Sequence, residues 1–127
     1  MARILIIDDD KAILRATRTI LTDAGHETAE ETNGLLIEDI VAVWRPDLVI
    51  VDIMMPYRGG IETITTLRRN GVEVPIIAVS GTHTRSLASA GRLGANATLE
   101  KPFDAATLLA LVASVLERSS SPGAQAG

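Results

Sequence analysis

Three short, uninterrupted apolar runs, Ile4-Leu5-Ile6-Ile7, Leu48-Val49-Ile50-Val51 and Ile76-Ile77-Ala78-Val79, constrain this chain more than any other feature. Each is shorter than a helix needs and lacks the polar alternation of a strand with one wet face. Each therefore predicts a strand covered on both sides, as in a parallel sheet. Between the runs the apolar period changes. Ile13, Leu14, Thr17, Ile20, Leu21 and Ala24 recur at helical spacing and stop at Gly25. Within residues 35–44, Leu36, Ile37, Ile40, Val41 and Trp44 mark a second helix, broken by Pro46. Ile61, Ile64 and Leu67 mark a third, closed by Asn70-Gly71.

Weaker signals complete the pattern. Residues 26–31 are a polar strand suited to a sheet edge, and Ala97-Thr98-Leu99 is a short fifth strand. Residues 85–93 are rich in Ser, Ala and Gly, a poor but recognisable helix. Asp104 is placed to cap a last helix carrying Leu108, Leu109, Leu111, Val112, Val115 and Leu116. Five βα units in succession predict an α/β fold with a five-stranded parallel sheet and helices on both faces. Residues 1–118 form one domain on this reading, and residues 119–127, without apolar periodicity, a disordered tail.

Composition narrows the function classes. A 46% hydrophobic content supplies a core without help from metals or crosslinks. The absence of cysteine removes thiolate nucleophiles, disulfides and zinc-thiolate sites. A net charge of −4 argues against a nucleic-acid clamp. No apolar run reaches membrane-spanning length, and four apolar residues followed by three aspartates make no signal-peptide core. The cytoplasm is the expected compartment.

In an open α/β sheet, ligands bind beyond the carboxyl ends of the strands. Asp8-Asp9-Asp10 follow the first run, Asp52 the second and Ser80-Gly81 the third, while Lys101-Pro102 follow the short fifth strand. Clustered carboxylates repel, and a divalent cation offsets that repulsion. Oxygen ligands without His or Cys point to Mg²⁺. Asp10 suits an N-cap, and Lys11 an exposed first-turn position. A carboxylate at the end of an apolar strand can act as a nucleophile toward a phosphoryl group, with a cation, an ammonium and a hydroxyl spreading the charge.

Taken together, Asp8-Asp9, Asp52, Met55-Pro56 with Gly60, Ser80-Gly81 and Lys101-Pro102-Phe103 resemble the receiver domain of two-component response regulators, in a single-domain form similar to the chemotaxis regulators. The resemblance covers residues 3 to about 118. It implies a flavodoxin-like doubly wound fold with strand order 2-1-3-4-5. It also implies phosphorylation by a histidine kinase or a histidine phosphotransfer protein. By position, Asp52 is then the phosphoacceptor. Asp9, Asp52 and the Met54 backbone carbonyl ligate Mg²⁺ directly, and Asp8 acts through water. Ser80 and Lys101 hold the phosphoryl oxygens, the Lys101–Pro102 bond is cis, and Gly60 allows the tight turn after Asp52.

The chain departs from the family pattern at Thr98, where many receivers carry a switching aromatic, and residues 82–94 are an alternative responsive segment. Met54 and Thr82 offer little to orient an attacking water, which implies a slow loss of the phosphoryl group. The protein is then a phosphoacceptor that assists its own phosphorylation and dephosphorylation rather than an enzyme. It signals by partner binding or phosphorelay, with residues 85–115 as the output face, as a monomer or weak dimer. The alternative is an unphosphorylated docking or dimerising module. A haloacid-dehalogenase-type hydrolase with Asp8 as nucleophile fits poorly, because no acidic strand-end pair follows Lys101. A flavin carrier fits poorly with three aromatics and acids at the first loop.

Overall fold

The computed structural model describes residues 1–55, 59–81 and 91–120. Five strands, β1 (Arg3–Ile7), β2 (Glu27–Glu31), β3 (Leu48–Asp52), β4 (Ile76–Ser80) and β5 (Ala97–Glu100), form one sheet in the order β2-β1-β3-β4-β5. All four pairings are parallel. The helices are α1 (Lys11–Asp23), α2 (Ile37–Trp44), α3 (Gly60–Arg69) and α4 (Ala105–Ser120), and residues 91–93 are also helical. The expected flavodoxin-like topology is the one observed.

The continuous apolar runs are explained by two cores. Alternate strand residues point to opposite faces. Ile4, Ile6, Leu48, Ile50, Ile77 and Val79 pack with Leu14 and Leu21 of α1 and with Leu108, Val112 and Val115 of α4. Leu5, Ile7, Val49, Val51, Ile76 and Ala78 pack on the other side with Ile37 of α2 and Ile64 and Leu67 of α3. A polar residue anywhere in the middle of these runs would therefore be buried on one face or the other. β2 lies at an edge with no residue fully buried, which accounts for its acidic sequence.

Helix ends follow their punctuation. Asp10 caps α1 by accepting from the N–H groups of Ala12 and Ile13. Gly25, at φ +95°, ends α1 in a Schellman arrangement, with His26 N–H donating to Leu21 O and Gly25 N–H to Thr22 O. Gly71, at φ +78°, closes α3 in the same way. Asp104 Oδ1 accepts from Thr107 N–H at 2.7 Å and starts α4.

Two boundaries differ from the expectation. Leu35 and Leu36 do not join α2, and both are exposed; Asn33 Oδ1 accepts Leu35 N–H and Gly34 O accepts Ile37 N–H. That local turn competes with the helix and delays its start. Ala24, expected on the apolar face of α1, is its exposed C-cap. At the far end, α4 continues through Ser119 to Ser120, two residues beyond the expected domain limit, and residues 121–127 lie outside the described part. Among the described residues no helix is long and apolar enough to cross a membrane.

At the amino ends of the strands, Nδ1 of His26 accepts the N–H of Ala2 at 3.1 Å. Burial, aided by the nearby terminal ammonium, holds the imidazole below its ordinary value of 6.5. The unfolded chain therefore takes up this proton before the folded one, and stability falls as pH drops below 6.5. A His26→Asn variant removes that contribution. Denaturant melts at about pH 7 and pH 5.5 should show a smaller acid loss for the variant than for wild type.

Candidate functional site

The carboxyl ends of β1, β3, β4 and β5 bring the expected residues to one edge of the sheet. Asp52 is the last residue of β3, and its strand neighbours are all apolar, so its side chain emerges from a dry surface and is only 6% exposed. Asp8 follows β1, is 4% exposed, and is held by the N–H of Asp10 donating to its Oδ1 at 2.9 Å. Asp9 is exposed. Oxygens of Asp8, Asp9 and Asp52 lie within 4.8 Å of one another.

Lys101, just past β5, supplies the counter-charge. Its Nζ donates to Asp8 Oδ2 at 2.8 Å and to Asp52 Oδ2 at 3.0 Å. Its backbone N–H donates to Ser80 O at 2.8 Å, which carries the β4–β5 ladder up to the site. Arg68 anchors the other end of β5: it donates to Gly94 O, Val72 O and Asn96 Oδ1, and the Asn96 carboxamide oxygen also takes Ile76 N–H. The Lys101–Pro102 bond is cis, as the resemblance implies, and Phe103 packs half-buried beside the first core.

Burial pushes the Asp52 carboxyl above its ordinary value; the Lys101 hydrogen bond opposes the shift, Asp8 adds to it and the Met54 N–H opposes it. For Lys101, burial alone favours loss of the proton, but the hydrogen bonds to Asp8 and Asp52 outweigh it and the ammonium is held more firmly. One ammonium thus serves two buried carboxylates.

Asp52 Oδ1 accepts the N–H of Met54 at 3.1 Å, so the chain just after the strand turns back over the carboxylate. Gly60 makes that turn possible. A Cβ there would stand 2.5 Å from Asp52 O and 2.7 Å from Ile53 Cα, both backbone atoms. Ser80 is fully buried, and among the described residues its Oγ has no hydrogen-bond partner. A buried hydroxyl without a partner is uncommon.

Of the other expected positions, Thr98 lies exposed on β5 and Met54 has an exposed side chain. Thr82, Pro56 and residues 85–90 of the expected output face lie outside the described residues. Sequence reasoning did not foresee that Lys101 would bridge Asp8 and Asp52. No local signal carries it, because the partners are 93 and 49 residues away along the chain.

Strand order, a carboxylate at the switch point beside β1 and β4, and a lysine reaching it from the fifth strand define the class, a receiver module. The chain belongs to the response regulator receiver domain family, whose model matches residues 4–113. Response regulator MprA from Mycobacterium sp. (strain KMS) is 36% identical over 119 residues, covering 93% of this chain and 52% of that relative. MprA from Mycobacterium avium (strain 104) is 35% identical over 118 residues, with 92% and 52% covered. The chain thus spans about half the length of the curated relatives it matches. Among solved structures, the receiver domain of NtrX from Brucella abortus superposes with a TM-score of 0.85 at 30% identity, covering 93% of this chain and 99% of that one. A CheY-like response regulator receiver domain protein from Methanospirillum hungatei JF-1 gives 0.85 at 27% identity, covering 93% and 95%.

Proposed function

We propose that this chain is a phosphoacceptor switch that takes a phosphoryl group onto Asp52 from a histidine kinase or histidine phosphotransfer protein, in a Mg²⁺-dependent reaction. The observation that carries the reading is the pairing of a buried strand-end carboxylate with the ammonium of Lys101 and with a buried Ser80 hydroxyl that has no partner among the described residues. The donor set fits the metal: three carboxylates within 4.8 Å, with one cationic side chain on them among the described residues, leave a negative pocket of hard oxygens. Asp9, Asp52 and the Met54 carbonyl would hold Mg²⁺, with Asp8 acting through water. When bound, the ion supplies charge neutralisation for an incoming phosphoryl group.

Asp52 acts as the nucleophile. An Oδ atom forms a bond to phosphorus as the phosphorus–nitrogen bond of the donor phosphohistidine breaks, leaving the electron pair on the imidazole nitrogen and an acyl phosphate on Asp52. Lys101 and Ser80 would bond the phosphoryl oxygens, and the gain of a partner for the Ser80 hydroxyl would tell the rest of the molecule that Asp52 is modified. Water later attacks phosphorus and returns the carboxylate and inorganic phosphate. Met54, with no polar group on its exposed side chain, does nothing to orient that water.

The test is incubation of the chain with Mg²⁺ and a small phosphodonor, followed by intact-mass analysis. A single base-labile phosphoryl adduct is expected on wild type, none on Asp52→Asn, and none on wild type when Mg²⁺ is chelated. Wild type that stays unmodified would leave the chain as a docking or dimerising module.

A further inference from the structure

Helix α2 is apolar over a wider sector than the core covers. Ile37, Val41 and Trp44, spaced i, i+4 and i+7, form the row that packs against the second core. The adjacent row, Leu36, Ile40 and Val43, has the same spacing and is apolar as well. It is left largely uncovered: Ile40 is half-buried, Leu36 is 53% exposed and Val43 is 84% exposed. With Leu35, this short segment holds three of the six large apolar side chains that stand exposed among the described residues. Single exposed apolar groups are ordinary, but a continuous row along one helix marks a surface that another molecule covers.

The charges around the row indicate what covers it. Arg45 is the C-cap of α2 and, at φ 53°, the only non-glycine residue with positive φ among the described residues. At the ends of α1 and α3 this region is taken by Gly25 and Gly71, which adopt it without strain. An arginine is strained there, and the strain persists where the side chain is used. Among the described residues, however, neither Arg45 nor Asp39 has a side-chain hydrogen bond or ion pair. The acid stands in the first turn of the helix and the cation at its end. We propose that the outer face of α2 is a self-association surface, on which a second copy of this chain docks with its own α2 antiparallel. A two-fold axis beside Ile40 lays Leu36 on Val43 of the partner subunit and sets Arg45 beside Asp39 of the partner subunit, each contact occurring twice. A parallel pairing would bring arginine to arginine and aspartate to aspartate. The charges therefore select the two-fold arrangement, and the helix dipoles agree with it. This pairing is independent of the phosphoacceptor reading.

Sedimentation velocity of the purified chain between about 10 µM and about 1 mM tests it, because one short helix on each side makes a small, weak interface. Wild type should pass from monomer to dimer across that range. Val43→Glu, at an exposed position outside the core, should weaken association at least about tenfold. Asp39→Arg and Arg45→Asp should each weaken it, and the two together should restore it, since the double variant exchanges the charges across the axis. Arg45→Gly should act in opposite senses on two properties, raising the melting temperature of the dilute monomer and weakening the dimer. An arginine with a merely structural role would not separate the two. A chain that stays monomeric at every concentration overturns the proposal and leaves the row to a different protein. A dimer indifferent to Val43→Glu, or a charge exchange that restores nothing, overturns it as well. Should Val43→Glu fail to fold, the charge exchange decides alone.

Discussion

A Gly60→Ala variant is expected to lose about 3 kcal/mol of stability, lowering the melting temperature by about 10 °C. The added Cβ would meet Asp52 O at 2.5 Å, Ile53 Cα at 2.7 Å and Asp52 C at 3.0 Å. None of these is the end of a flexible side chain, so relief requires β3 and the first turn of α3 to move apart. The N–H of Gly60 donates to Ile53 O at 3.1 Å, and that bond would go with the contact. The displaced segment carries Asp52 itself, so the variant should also be phosphorylated far more slowly under conditions where it remains folded. Thermal unfolding with a parallel phosphorylation time course checks both. A variant as stable as wild type would mean that the turn has room the structure does not show. Gly91 provides the control: among the described residues, alanine there meets nothing within 4 Å.

Asp9→Ala should reverse its ranking against wild type depending on metal. Without divalent cation, one ammonium pairs with Asp8 and Asp52 while Asp9 adds a third carboxylate beside them, and removing this exposed member relieves repulsion on the other two without breaking a hydrogen bond seen among the described residues. The metal-free variant should therefore melt above metal-free wild type. With Mg²⁺ the order inverts. A ligand that binds only the folded state stabilises it by about 2.7 kcal/mol at a hundred times its dissociation constant. Wild type should gain that amount, and Asp9→Ala should gain almost none. Melting curves with EDTA and across a MgCl₂ series check the crossing. A variant less stable than wild type in EDTA would show that Asp9 serves folding in a way the charge count does not capture.

Most of the fold was legible from the chain. Strands buried on both faces must be apolar at every position, so β1, β3 and β4 stood out as solid runs, and their regular spacing implied the parallel sheet. Glycine at Gly25 and Gly71 and aspartate at Asp10 and Asp104 marked helix ends because each residue type solves a backbone problem that its neighbours cannot. The start of α2 was misplaced because hydrophobicity alone made Leu35 and Leu36 look helical, whereas Asn33 and Gly34 form a turn that the apolar pattern does not encode. Site residues could be picked out one by one, since anything polar at the end of a buried strand must be there for a reason.

What the sequence determined by itself was therefore the sheet, its two cores and the set of groups delivered to its carboxyl edge. Only the tertiary structure decided how those groups are shared. The bridge from Lys101 to Asp8 and Asp52 and the close approach of Gly60 to the Asp52 carbonyl join residues that are apart in the chain, and among the described residues the Ser80 hydroxyl is left without a partner. Local pattern reports which face a side chain occupies; differences of a few tenths of an ångström in the distances between separate strands and loops depend on the packing of the whole sheet. That packing sets one ammonium between two acids and leaves the third facing water.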